Sequence, residues 1–155
     1  MNEEHYIEGS TLIDRFAHDD SQVGSLLEQV NDPIDHFTAD GAYDETPIYK
    51  QVSAHSADAD IVIPPRSNAV ISEDSAKLRN RNIEEIKMHG RMRWQKTREY
   101  GRRNYFELEM FRYQKALGYS LHAREFSRQK QETMIGCGVL NKMTSLGVPS
   151  TCRVA

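Results

Sequence analysis

The sequence predicts an α/β fold. Two short apolar runs, residues 34–39 and 61–63, bracket a helix-forming segment. The order strand, helix, strand implies a parallel crossover. A one-sided apolar stripe precedes this unit and a basic, aromatic helix follows it. With 155 residues the chain has the length of one domain, able to bury roughly 70% of its unfolded surface.

Residues 1–18 hold two apolar pieces, Tyr6-Ile7 and Thr11-Leu12-Ile13, around Gly9-Ser10, which suit an edge strand or a frayed start. Asp19-Asp20-Ser21 offers N-caps for a helix. Val23, Leu26, Leu27 and Val30 follow at i, i+3, i+4 and i+7, and Asn31-Asp32-Pro33 ends the stripe. Ile34-Asp-His-Phe-Thr-Ala39 reads as a strand closed by Asp40-Gly41. A helix is expected from Asp44 or Glu45 to about His55, because Thr46-Pro47 suits a first turn and Ile48, Tyr49 and Val52 form an apolar face. Ile61-Val-Ile63 reads as a second strand, stopped by Pro64-Pro65.

Residues 66–90 read as a polar insertion followed by a helix. A basic helix is expected over 98–117 with Gly118 as its C-cap. Tyr105, Phe106, Leu108, Met110, Phe111 and Tyr113 make it apolar around much of its circumference, so it is expected to be packed. After a connector, Leu121-His-Ala-Arg-Glu-Phe126, a last helix is expected over 127–145. Gly136 and Gly138 lie inside it at a cost of about 1 kcal/mol each relative to Ala. Glycines at such positions let another helix approach closely.

The net charge of −3 conceals an asymmetry. Residues 1–76 hold 3 Lys/Arg and 16 Asp/Glu, a net −13, whereas residues 77–130 hold 15 and 6, a net +9. The basic block either faces a polyanion or neutralises the acidic half within one fold. No apolar run reaches the roughly 18 residues of a membrane span. Met1-Asn-Glu-Glu-His5 lacks the basic and apolar regions of a signal peptide. Cys137 and Cys152 have no metal-site spacing, so a reduced, cytoplasmic setting is expected. The six His are scattered, and there is no Gly-rich phosphate loop or nucleophile motif. Trp94, among Arg91, Arg93, Lys96 and Arg98, either stacks on a base or serves as a buried anchor.

Two stretches carry chemistry. On a single helix Tyr100, Arg103 and Glu107 would share one face. A carboxylate among bases is a poor phosphate contact but a good ligand for a hard cation that phosphates also share. Asp40, just past the C-terminal end of a strand, lies where α/β folds place their sites. An ordinary Asp-Gly turn would give the same residues. Two-metal phosphoryl chemistry needs carboxylates from separate elements, and Asp40 and Glu107 come from separate elements.

The spacing Tyr100-x2-Arg103-x3-Glu107 resembles the Tyr-x2-Arg-x3-Glu-x6-Lys signature of bacterial insertion-sequence transposases of the DDE class. Asp40-Gly-Ala-Tyr-Asp44 resembles their second acidic motif. His18-Asp-Asp-Ser-Gln-Val23, Ile63-Pro-Pro-Arg66, Leu121-His-Ala-Arg124 and Leu140-Asn-Lys-Met-Thr-Ser-Leu-Gly147 are similar too, so the resemblance spans roughly residues 17–149.

The resemblance implies a ribonuclease H-like fold in which three acids bind two Mg2+ ions and drive strand nicking and transfer at transposon ends. It makes Asp40 the second acid and Glu107 the third, both catalytic and metal-binding. Tyr100 and Arg103 become DNA-positioning residues. The signature's Lys falls on Gln114, with Lys115 one residue away. The family's first Asp lies on a strand well upstream of the stripe helix, and Asp14 matches it poorly in place. The expectation is therefore an N-terminally truncated ribonuclease H-like domain, an incomplete sheet with flanking helices over 19–149. An unassigned segment, 1–18, and a tail, 150–155, flank it. Such a chain would be inactive alone and would pair with a separately encoded N-terminal half or a second transposase copy. The alternative is a non-catalytic DNA-binding or interaction module using the basic segment 77–130. A third possibility is an α/β remnant with no partner.

Overall fold

In a computed structural model the chain is described over residues 5–14, 16, 19–73 and 77–147. It divides into two compact units, Asp14–Asn104 and Met1–Ile13 with Tyr105–Ala155. His18, Pro149, Cys152 and the 150–155 tail lie outside the described residues.

In the first unit a 3-10 turn over Asp19–Gln22 leads into a short helix, Val23–Leu27 (α1). The predicted stripe helix is thus shorter than its apolar spacing implies, and Gln22 precedes α1 without a side-chain cap. Gly24 lies in it, a residue that weakens a helix by about 1 kcal/mol relative to Ala. Packing holds α1 in place, since Val23 and Leu27 are buried in the core. His36–Thr38 (β1), Thr46–His55 (α2) and Asp60–Val62 (β2) form the predicted crossover. The strands are parallel, with His36 opposite Asp60 and Thr38 opposite Val62. Ile48, Tyr49 and Val52 turn the apolar face of α2 into a core with Ala59, Ile61 and Ile63. Burial pushes the Tyr49 phenol well above its ordinary range. His55 joins the pieces: its Nε2 lies 2.9 Å from the Val30 carbonyl oxygen and its Nδ1 2.8 Å from Ser56 Oγ. Because a carbonyl only accepts, Nε2 carries the proton in this contact.

Two helices follow, Lys77–His89 (α3) and Arg91–Thr97 (α4). Asn82 of α3 is buried and donates through Nδ2 to the Ile61 carbonyl at 3.1 Å, fastening the helix to β2. Trp94 of α4 is 2% exposed. It is therefore an anchor of the fold, and a base does not reach its face.

The basic helix expected over 98–117 is broken. Arg98 caps α4, Glu99 adopts the left-handed conformation at φ 51°, and Tyr100–Arg102 is a 3-10 turn. Only then does a helix run, over Arg103–Leu117 (α5). The Arg98 guanidinium is held 3.0 Å from both Asp60 and Glu85. Glu99 pairs with Arg102 at 2.6 Å. These contacts offset a left-handed residue that costs about 1–2 kcal/mol.

The second unit contains α5 from Tyr105 onward and a long helix, Phe126–Ser145 (α6). Gly136 does admit a close neighbour: an added Cβ would stand 2.6 Å from Tyr113 ring atoms, whereas one at Gly138 would meet nothing within 4 Å. Leu140 is buried. The Asn141 side-chain amide pairs with the Ile7 backbone in both directions, at 2.8 and 2.9 Å. Glu109 is buried with both oxygens 2.7 Å from Arg112, and His5 Nδ1 lies 3.4 Å away. The connector is held by Glu132, which accepts from the His122 and Ala123 amides. Those two bonds hold its carboxyl below the usual range.

The packing expected of α5 is not found on most of its apolar residues. Phe106 is 61% exposed, and Tyr105, Leu108, Met110 and Phe111 are also exposed. The buried member of the helix is instead the charged Glu109. Periodicity failed here because the aromatic residues surround the helix and select no single face.

Candidate functional site

Asp40 stands where β1 gives way to the crossover. Its backbone is extended at φ −78° and ψ 174°, and its side chain caps the 3-10 turn Gly41–Tyr43. Oδ1 accepts from the Ala42 amide at 2.8 Å. Space favours Gly41, since a Cβ there would lie a tight 3.0 Å from the Pro64 carbonyl oxygen. The turn that presents Asp40 therefore rests on the chain leaving β2. A second tie is the Ala39 amide, which donates to the Val62 carbonyl at 3.3 Å.

Arg103, the first residue of α5, brings its guanidinium 3.9 Å from Asp40 Oδ2. Both side chains are part-exposed, at 36% and 43%. Two stretches far apart in sequence and singled out separately for their chemistry meet here, within one unit. Tyr100 is not on the helical face where spacing puts it. It lies in the 3-10 turn before α5, its ring 6.1 Å from that of Trp94. Arg103 and Glu107 do share α5, one turn apart. Glu107 belongs to the other unit and is exposed. Lys115 is exposed too, with Nζ 5.4 Å from the centre of the Phe111 ring.

The two acids of Asp40-Gly-Ala-Tyr-Asp44 differ sharply. The Asp44 side chain is fully buried and bound by the Arg79 guanidinium, Nε to Oδ1 at 2.9 Å and a terminal nitrogen to Oδ2 at 3.0 Å. The Arg66 amide donates to Oδ2 at 3.2 Å and the Tyr49 hydroxyl to Oδ1 at 3.4 Å. Four donors consume its acceptor capacity, so Asp44 is closed to a metal. Asp40 keeps capacity on the oxygen that faces Arg103. Hard, part-exposed carboxylate oxygen suits Mg2+. Among the described residues no group of three or more His, Cys, Asp or Glu could hold a metal ion. Sequence reasoning missed Arg79 and the role of Asp44. The motif shows two acids, but nothing in its spacing indicates which one is paired 35 residues downstream.

Part of the basic block is engaged within the fold. Arg79 pairs with Asp44, Arg81 with Glu85, Arg98 with Asp60 and Glu85, Arg102 with Glu99, and Arg112 with Glu109. Of these acids Asp44 and Asp60 lie outside residues 77–130 and offset part of the +9, whereas Glu85, Glu99 and Glu109 are already counted in it. A cavity of about 360 Å³ is lined by His36, Asp60, Glu85 and Trp94. It lies by the starts of the strands, and Asp40 follows their ends. No helix among the described residues is long and apolar enough to cross a membrane.

No solved structure matches the chain. A family model for the transposase DDE domain matches residues 3–142, most of the 155-residue sequence. The members of this family act on DNA and generally use divalent metals. With its Asp40 turn and the helix opened by Arg103, the chain belongs to the transposase DDE domain family of insertion sequences.

Proposed function

We propose that this chain takes part in metal-dependent strand nicking and transfer on DNA at transposon ends, with Asp40 and Glu107 as two of the acids. The observation that carries the reading is the approach of Arg103 to Asp40. A guanidinium beside a part-exposed carboxylate is arranged to meet a phosphate that shares the carboxylate's cation. The β1–α2–β2 crossover is then part of a ribonuclease H-like sheet, and the setting is cytoplasmic.

Asp40 and Glu107 would hold Mg2+, which when bound supplies charge stabilisation at the phosphoryl group and an activated attacking oxygen. Arg103 neutralises and orients the phosphate. Tyr100 and Lys115 lie along the DNA path. Two carboxylates hold two ions poorly, so full activity requires a third acid beyond this pair. A separately encoded N-terminal half or a second transposase copy is its source in this reading.

The test is a nicking assay on duplex carrying the element's end sequence, with Mg2+ or Mn2+ and with chelator, run with and without the N-terminal half. Cleavage that needs both the metal and the added half is expected. Salt-sensitive binding that is indifferent to metal, with no cleavage, would favour the non-catalytic module instead. In that case Glu107→Ala would leave binding intact.

A further inference from the structure

We infer that Asp44 and Arg79 form a positioning clamp that sets the orientation of the Asp40 carboxylate. The inference rests on the reading of Asp40 as a metal ligand, and it concerns residues outside the metal's reach. The turn after β1 is short. Tyr43 donates to the Asp40 carbonyl at 3.1 Å and Asp44 to the Gly41 carbonyl at 3.3 Å, so Asp44 is rigidly joined to the turn it ends. Its side chain then fastens that turn to two other elements. Arg79 connects it to α3 through a two-point fork, and the Arg66 amide connects it to the chain leaving β2. Arg79 also donates to the Val70 carbonyl at 3.3 Å, which holds the intervening polar segment against the same point.

Without the clamp, the Asp40 turn is tied chiefly at the strand end. Gly41 has no side chain to hold it, and its contact with Pro64 is one of close approach alone. The carboxylate would then swing with its turn. Carboxylates that ligate metals depend on such partners, whose loss typically weakens metal affinity about 10–100-fold. A lysine at position 79 keeps the charge but not the planar fork, so it would not replace Arg79.

The experiment uses the full chain labelled for NMR. The Ala42 amide donates to Asp40 Oδ1, so its shift without metal reports the carboxylate's orientation. Added Mn2+ then broadens the Gly41 and Ala42 amides if Asp40 binds it. Asp44→Asn and Arg79→Lys are each expected to move the Ala42 shift and to raise the Mn2+ concentration for half-broadening by about tenfold or more. The core variant Val52→Ala, which loosens the fold elsewhere, should leave the Ala42 shift in place. An unmoved Ala42 shift in a folded Asp44→Asn or Arg79→Lys protein would overturn the clamp. If Asp44→Asn does not fold, Arg79→Lys decides. Broadening that is equal in wild type and Asp40→Asn, or absent in wild type, would defeat the metal reading of Asp40. The metal-free shift would still decide the clamp.

Discussion

Asp40→Asn is expected to reduce metal-dependent strand cleavage by more than about a hundredfold while leaving the fold intact. Loss of a residue that merely supports a metal ligand already costs about 10–100-fold, so loss of the ligand should exceed that. The amide that replaces the carboxylate retains an oxygen able to accept from Ala42, and the site is part-exposed. Its stability cost should stay near 0.5 kcal/mol. Asp44→Ala should behave in the opposite way. It strips a two-point partner from the mostly buried Arg79 and leaves the Arg66 amide without its acceptor. Breaking a buried pair from one side costs about 3–5 kcal/mol. Thermal unfolding beside the nicking assay separates the two acids. Equal destabilisation by both variants would contradict the division of roles.

Trp94→Ala should be among the most destabilising single changes in the Asp14–Asn104 unit. The indole is 2% exposed and packs beside Tyr100. Truncating a buried aromatic costs about 3–5 kcal/mol, part of it for the cavity left behind. Denaturant unfolding followed by circular dichroism measures this, since the variant has lost the chain's one Trp. The same solitary Trp gives a second readout in the wild type. Duplex DNA should leave Trp94 emission nearly unchanged, because a buried ring cannot stack on a base. Strong quenching on DNA addition would reverse that placement.

The crossover was legible because each of its parts is a local signal. Apolar runs at 34–39 and 61–63, Pro47 in a first turn and the spacing of Ile48, Tyr49 and Val52 all point to the same parallel unit. Asp40 was legible for the same reason, as an acid and a glycine at a strand's end. The break before α5 was not. Glu99 is left-handed next to an Arg98 that Asp60 and Glu85 hold from 38 and 13 positions away, and such distant contacts leave no local signal. Spacing therefore placed Tyr100 on a face it does not occupy, while Arg103 and Glu107 remained on one helix. Asp44 escaped notice because a buried pair across 35 residues leaves no periodic trace. The exposure of Phe106 and Phe111 escaped it because the apolar residues of α5 spread around much of its circumference, and such a pattern names no single buried side.

In the proposed function Asp40 and Glu107 serve one reaction on DNA. A nicking series on the element's end sequence tests it most directly, comparing wild type, Asp40→Asn, Glu107→Gln and the double variant in Mg2+ with the N-terminal half supplied. Residues that serve one catalytic unit are strongly non-additive, so the double variant should be no slower than the worse single one. Additive losses, or a Glu107→Gln protein that cleaves at the wild-type rate, would contradict the claim.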